Sequence, residues 1–246
     1  MVKAGYFAEP GHVDKEMPRA HQVIFFDAAG TLIHLPHSVG EHYREVALPF
    51  GVAPESAALD RAFREAWKAA PERPATDGPR PDDDKGWWRA LVERVFATVL
   101  SDDERRRFDL PAYFERVYEH FAQPGVWAAF PDVAEGLSQL RADGYRFGVV
   151  SNFDRRLRRV LADLGLAGFF EEIVLSSEVG ADKPDPRIFR HALGLFGVTA
   201  KDALHVGDDP HKDGGAEAVG LSVFRLERPR HTLADVWTFL AEAPRD

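Results

Sequence analysis

Short apolar runs that stop at small or acidic residues recur along this chain. Val23-Ile24-Phe25-Phe26 stops at Asp27, with Gly30 close behind. Phe147-Gly148-Val149-Val150 stops at Ser151-Asn152, Ile173-Val174-Leu175 at Ser176-Ser177, and Ala203-Leu204-His205-Val206 at Gly207-Asp208-Asp209. Leu221-Ser222-Val223-Phe224 completes the set. Runs of this length read as buried strands, and the glycine after the first favours that over a helix fragment. Between them lie helical patterns: Val133, Leu137 and Leu140 before Gly144; Leu157, Val160, Leu161 and Leu164 before Gly165; Ile188, Phe189, Ala192, Leu193 and Phe196 before Gly197. Strands alternating with helices predict an α/β fold, a doubly wound parallel sheet covered on both faces. Its crossovers are right-handed, so the carboxyl ends of the strands share one edge, and ligands bind at that edge.

Residues 36–122 follow another rule. They show no strand pattern, only helical stripes: Leu59, Phe63, Ala66, Trp67 and Ala70; Trp87, Trp88, Leu91, Val92, Val95, Phe96, Val99 and Leu100; Tyr113, Phe114, Val117, Tyr118 and Phe121. The proline- and aspartate-rich stretch 71–84 reads as a loop. The expected organisation is a loose arm over 1–20, a core built from 21–35 and 123–246, and an inserted α-helical unit over 36–122. Aromatic stripes of this kind ordinarily pack helix on helix, and Trp87 and Trp88 are read in that way.

Composition narrows the field. With 31 basic and 40 acidic residues the formal charge is −9, which argues against nucleic-acid binding. The chain has no cysteine, which excludes disulfides, thiolate metal sites and a thiol nucleophile and fits a reducing cytoplasm. No apolar run approaches the roughly 20 residues needed to span a bilayer, and the first twenty residues lack the apolar middle of a secretory signal. A monomer or homodimer is expected.

Chemistry concentrates at the strand ends. Asp27, followed by a flexible glycine, is placed either to act as a nucleophile or to open a turn. The Ser151 hydroxyl and the nearby Asn152 amide suit a phosphate oxygen, with Asp154 as an N-cap. Lys183, held out of a helix by Pro184, offers an ammonium to an anion. Asp185 and Pro186 read as N-cap and first helical residue. Asp208, Asp209 and Asp213 crowd one strand end, which is costly without a cation, and hard oxygen ligands favour Mg2+. The run Arg155, Arg156, Arg158 and Arg159 reads as a solvated face.

In this order, Asp27 with Gly30-Thr31, Ser151, Lys183 and Asp208 with Asp213 resemble the four motifs of the haloacid dehalogenase-like hydrolase superfamily over roughly residues 20–242. The insertion looks like that family's helical cap, and the remainder like its Rossmann-like core. The segments Ser151–Leu157 and Lys183–Phe189 resemble, more narrowly, one branch whose members are mostly of unassigned substrate. The resemblance implies a Mg2+-dependent phosphatase acting on a small phosphorylated metabolite. Asp27 would form an aspartyl-phosphate, and Thr31, Ser151, Asn152 and Lys183 would hold the phosphoryl oxygens. Asp27, the Ala29 carbonyl and Asp208 would hold the metal, with Asp209 or Asp213 assisting.

One position departs from the pattern. Phosphatases of this family carry a second Asp two residues after the nucleophile, as the acid that protonates the leaving group; here Ala29 stands there. Four readings follow: a leaving group that needs no proton, such as an acyl or aryl phosphate; a replacement acid such as His34 or a residue of the cap; another reaction, either 2-haloacid dehalogenation or C–P cleavage with Lys68 as a Schiff-base lysine; or a catalytically weak binding or regulatory protein. Arg44 and Arg64 are further cap residues that could reach a substrate, although nothing in the sequence selects them.

Overall fold

The computed structural model describes residues 21–242, so the expected arm over 1–20 lies outside the described residues. Among the described residues, seven strands and ten α-helices follow one another. They are β1 (Val23–Phe26), β2 (Ile33–His34), α1 (Val39–Ala47), α2 (Ser56–Lys68), α3 (Lys85–Val99), α4 (Asp102–Arg107), α5 (Leu110–His120), β3 (Ala128–Ala129), α6 (Val133–Ala142) and β4 (Arg146–Ser151). Then come α7 (Arg156–Asp163), β5 (Glu172–Leu175), α8 (Ser176–Val179), α9 (Pro186–Phe196), β6 (Ala203–Gly207), β7 (Ser222–Arg225) and α10 (Leu233–Glu242).

Five strands form one parallel sheet in the order β5-β4-β1-β6-β7. The two-residue period of β1 explains why it sits at the centre. Ile24 and Phe26 pack into one apolar cluster with Leu137, Leu161 and Val236, while Val23 and Phe25 pack into another with Ile188, Phe189 and Phe196. A strand buried on both faces needs no polar alternation, hence the unbroken apolar run. The chain leaves β1 toward β4 on one side and β6 on the other, which makes the carboxyl end of β1 the switch point where a crevice opens.

The insertion is all helical and has its own core, in which Leu59, Leu91, Val95, Phe96, Tyr113, Phe114 and Val117 are buried. Two short strands that the sequence pattern did not announce bracket it: β2 pairs antiparallel with β3 at its entry and exit. The first helix, α1, is also missing from the apolar stripes; its local signal is a capping box in which Ser38 and Glu41 exchange hydrogen bonds.

Where the insertion meets the sheet, the 71–84 loop is tied down by hydrogen bonds. Thr76 N–H donates to the Gly180 carbonyl (2.9 Å) and Arg80 N–H to the Ser177 carbonyl (2.7 Å). Gly180 has φ +77°, and a Cβ there would lie 2.2 Å from the Gly78 carbonyl oxygen, so only glycine lets the two segments touch. Arg73 and Arg80, both with buried side chains, share Asp84 and Asp182 across the joint.

Two sequence readings change here. Arg156 belongs to no solvated face: its guanidinium is buried, pairs with the fully buried Asp154 (2.6 Å) and lies 3.6 Å from the Tyr118 ring centroid. Trp88 and Tyr118 of the insertion cover it, and its guanidinium donates to the Tyr118 carbonyl (2.9 Å). Asp154 accepts from the Arg156 amide, as a turn-forming aspartate does, but it also accepts the indole N–H of Trp88 from the insertion (3.0 Å). Arg155, Arg158 and Arg159 are exposed and ion-paired, the last to Glu119 of α5.

Candidate active site

Asp27 follows β1 directly, and its amide donates to the Val206 carbonyl of β6 (2.8 Å), which fixes where the carboxylate leaves the sheet. The Lys183 ammonium reaches it from the loop between α8 and α9, 2.8 Å from Asp27 Oδ1 and 2.6 Å from Asp213 Oδ1. Lys183 is buried, which works against its charge, yet the two carboxylates outweigh that and raise its pKa. Asn152 holds this loop in register. Its side-chain carbonyl accepts from the Lys183 amide (2.6 Å), and its side-chain NH2 donates to the Lys183 carbonyl (2.8 Å). The Asn152 side chain is therefore occupied in placing Lys183.

The acids beyond β6 divide into three roles. Asp213 is buried and saturated: Oδ1 accepts from Lys183 and from His205 Nε2 (2.8 Å), and Oδ2 from the Asp209 amide (2.9 Å). Burial opposes its charge, but the histidine hydrogen bond and the ammonium hold its carboxyl well below the usual range. His205 is itself kept neutral by burial, so Lys183 is the cation of this group. Asp209 turns away and accepts from the amides of His211 and Lys212. Asp208 remains beside Asp27, with Thr31 Oγ1 donating to it (3.2 Å). Burial, then the charges of Asp27 and Asp213, push the Asp208 carboxyl up to about 6. Gly30 makes the approach possible: at φ +92°, a Cβ would meet the Asp208 carboxylate at 2.5 Å.

The structure thus brings together Asp27, Ala29, Ser151, Asn152, Lys183, Asp208 and Asp209, all lining one cavity of about 440 Å3. Ser151 is buried. Thr31 is also buried, but it does not line the cavity and acts on Asp208. Asp27, Asp208 and Asp213 each offer a carboxylate oxygen, all within 4.8 Å of one another. Their only ammonium partner, among the described residues, is Lys183. Three carboxylates against one ammonium is a surplus of negative charge, and an all-oxygen donor set of this kind suits Mg2+.

The opposite wall is what sequence reasoning missed. Phe63, Trp67, Trp88, Phe114, Val117 and Phe121 of the insertion line the same cavity. The stripes read as packing surfaces therefore serve two purposes: Leu59, Val95 and Phe96 fill the insertion's core, and the next residues round each helix face the sheet edge. A stripe wider than one helix contact requires was the available signal. Arg64 and Lys68 also line the cavity, whereas the Arg44 guanidinium is held by the carbonyls of Ala53 and Pro54. His34 does not line it; its ring packs on Phe130.

The comparisons agree with this architecture. A family described as "Hydrolase: haloacid dehalogenase-like hydrolase" matches residues 21–220. The chain is 35% identical over 205 residues to the haloacid dehalogenase-like hydrolase domain-containing protein 3 of Mus musculus, covering 82% of this chain and 80% of that protein. It is 38% identical over 173 residues to a glyceraldehyde 3-phosphate phosphatase of Methanopyrus kandleri, covering 58% and 74%. Among solved structures, an L-2-haloacid dehalogenase from Xanthobacter autotrophicus superposes with a TM-score of 0.63 at 20% identity, covering 91% of this chain and 84% of that one, a likeness of fold.

Proposed function

The chain belongs to the haloacid dehalogenase-like hydrolases, and from that premise we propose that it is a Mg2+-dependent phosphatase working through an aspartyl-phosphate on Asp27. The observation that carries this reading is the Lys183 ammonium shared between Asp27 and Asp213, with Asp208 left beside Asp27 at a raised pKa. That arrangement holds one carboxylate in place beside an ammonium and leaves another in need of a cation.

Asp27 and Asp208, with the Ala29 carbonyl, would hold Mg2+. Asp213, whose oxygens already serve Lys183, His205 and Asp209, supports from behind. The metal, when bound, would supply Lewis-acid neutralisation of the phosphoryl oxygens. Lys183 would share that negative charge. The Ser151 hydroxyl and the Asn152 backbone amide would hold phosphoryl oxygens. A binding module has no need of a nucleophile, a buried cation and an unneutralised carboxylate in one place. The helices over 36–122 act as the cap that selects the substrate, and the relative named as a glyceraldehyde 3-phosphate phosphatase is consistent with phosphoryl chemistry.

Dehalogenation is the competing reading, favoured by the methyl group of Ala29 and by the apolar wall. Asp208 weighs against it, because halide displacement needs no second carboxylate and no metal. C–P cleavage through Lys68 has less support: Schiff-base lysines are activated in desolvated pockets or beside another cation, and Lys68 is exposed.

The test is hydrolysis of acetyl phosphate and an aryl phosphate with Mg2+ and then with EDTA. Expected are metal-dependent phosphate release and its loss in Asp27→Asn. Failure of both substrates, with the variant indistinguishable from wild type, overturns the phosphatase. Metal-independent halide release from 2-haloacids would put the dehalogenase in its place.

A further inference from the structure

We propose that the substrate is an aryl phosphomonoester, whose leaving group is a phenolate seated against the aromatic wall of the insertion. This rests on the phosphatase reading and specifies what is attached to the phosphoryl group.

The first support is shape. The cavity runs without interruption from Asp27 and Lys183 at the sheet edge to Phe63, Trp88, Phe114 and Phe121. Its aromatic walls brace one another. Trp87 stands edge-on to Trp88 at 5.1 Å and to Trp67 at 5.4 Å, and the Trp88 indole is pinned to Asp154. Such rings are preformed and offer flat faces, which suit a planar ligand. An apolar cavity of about 150 Å3 holds benzene. The 440 Å3 here therefore has room for one or two fused rings together with a phosphoryl group.

The second support is a count of proton donors. Among the described residues, no imidazole lines the cavity, and its carboxyl groups are Asp27, Asp208 and Asp209. Asp27 is the nucleophile, and Asp208 faces the cation position. The Asp209 carboxylate is already engaged by the amides of His211 and Lys212 and by the Lys212 ammonium. Burial raises the phenols of Tyr43 and Tyr118 far from useful acidity. Of the lining ammonium groups, Lys183 is held between Asp27 and Asp213, Lys212 pairs with Asp209, and Lys68 lies exposed on the insertion. Ala29 brings only a methyl group beside Asp27, which favours a leaving group that departs as an anion. A phenol has a pKa of about 10, while an alkanol is close to water at about 15.7.

The bookkeeping of the reaction is simple. An Asp27 oxygen bonds to phosphorus, the P–O(aryl) bond breaks, and its electron pair leaves on the phenolate, which takes a proton from solvent. Water then bonds to phosphorus, the P–O(Asp27) bond breaks, the carboxylate is restored, and the water proton goes to phosphate or bulk solvent.

Phenyl phosphate and cyclohexyl phosphate have nearly the same size and differ in leaving-group acidity. Acetyl phosphate serves as the small, activated reference. With Mg2+ present, wild type is expected to prefer phenyl to cyclohexyl phosphate by roughly 10²–10⁴-fold in kcat/KM, the usual worth of a general acid. Ala29→Asp is expected to narrow that ratio at least tenfold by raising the cyclohexyl rate. Phenylphosphonate is expected to inhibit acetyl phosphate hydrolysis at least tenfold more tightly than methylphosphonate. Asp27-dependent turnover of acetyl phosphate with a phenyl-to-cyclohexyl ratio below ten overturns the leaving-group proposal alone and leaves the phosphatase standing. Equal affinities for the two phosphonates overturn the aromatic seat. No Asp27-dependent turnover of acetyl or phenyl phosphate overturns both readings together.

Discussion

The two walls of the cavity are built on opposite principles. The sheet-edge wall is polar, and its charged and amide side chains have specified partners: Lys183 with Asp27 and Asp213, His205 with Asp213, Asn152 with the Lys183 backbone. The insertion's wall is aromatic and is held by ring packing plus a few anchors, chiefly Trp88 on Asp154 and the Arg73–Asp182 pair. Charge positioned to a few tenths of an ångström suits a reaction centre, because electrostatic stabilisation acts without reorganisation only if its groups are already in place. Apolar rings suit selection, because their contribution scales with area covered and tolerates small shifts. The comparison makes a general expectation: substitutions in the first wall act on kcat, and those in the second on KM.

The strongest way to break that division is at Asp27. Asp27→Asn keeps size and removes the nucleophile, so hydrolysis of phenyl phosphate should fall by roughly 10⁴-fold or more in steady-state assays with Mg2+. Retention of more than a tenth of the activity would show that the polar wall is not the reaction centre.

Next comes Lys183. Lys183→Met leaves Asp27 and Asp213 buried beside each other without their cation, which costs about 3–5 kcal/mol. The metal-free protein should melt roughly 10 °C lower, given about 2–4 °C per kcal/mol for a chain of this size. A variant as stable as wild type would mean that the ion pair is not fixing the carboxylates.

The two walls also differ in how far the sequence disclosed them. The strand ends were legible because each depends on local rules: an apolar run must stop somewhere, and Asp27, Ser151 and Asp208 stand where three runs stop. Parallel pairing of β1 with β4 and β6 then brings those stops together whatever lies between. Within that wall, the partner chemistry was not legible. Nothing local says that Asn152 points at the Lys183 backbone or that Asp213 accepts from His205. These depend on loop paths set by tertiary packing. The aromatic wall was read as packing because a helical stripe carries no mark separating residues that face a neighbouring helix from those that face an empty space. Phe96 is buried in the insertion's core and Trp88 lines the cavity, yet both belong to one stripe of α3. The buried Arg156 shows the same limit: burial of a charge is decided by what lands on it, here Trp88 and Tyr118.

Trp88 sharpens the comparison from the other side. Trp88→Phe keeps a ring in the wall and removes the indole N–H that donates to buried Asp154. A hydrogen bond to a charged acceptor is worth about 1.5–3 kcal/mol, and Asp154 retains Arg156 as a partner. The expected outcome is a modest loss of thermal stability and a several-fold rise in KM for phenyl phosphate, with kcat within about twofold of wild type. A fall in kcat with unchanged KM would place Trp88 functionally on the reactive wall.

The smallest expected effect probes the one carboxylate of the polar wall that still lacks a cation. Asp208 has its carboxyl raised to about 6 by burial and by Asp27 and Asp213. A carboxyl raised above its unfolded value, about 4, binds more protons folded than unfolded between those pH values. Its ionisation therefore costs stability as pH rises through the window from about 4 to 6, and the full cost persists above it. Asp213, held low, contributes in the opposite sense, so the melting temperature of wild type alone mixes the two. The difference between Asp208→Asn and wild type isolates Asp208. Without metal, the variant should be more stable at pH 7.5 by roughly 1–2 kcal/mol, after allowing for solvent screening of a partly exposed group, and the gain should vanish near pH 4. Millimolar Mg2+ should reverse the order by stabilising wild type, more strongly above pH 6 than below, while leaving the variant almost unmoved. A variant that is less stable than wild type without metal, or that gains as much from Mg2+, would show that Asp208 is satisfied as it stands and that the cation belongs elsewhere.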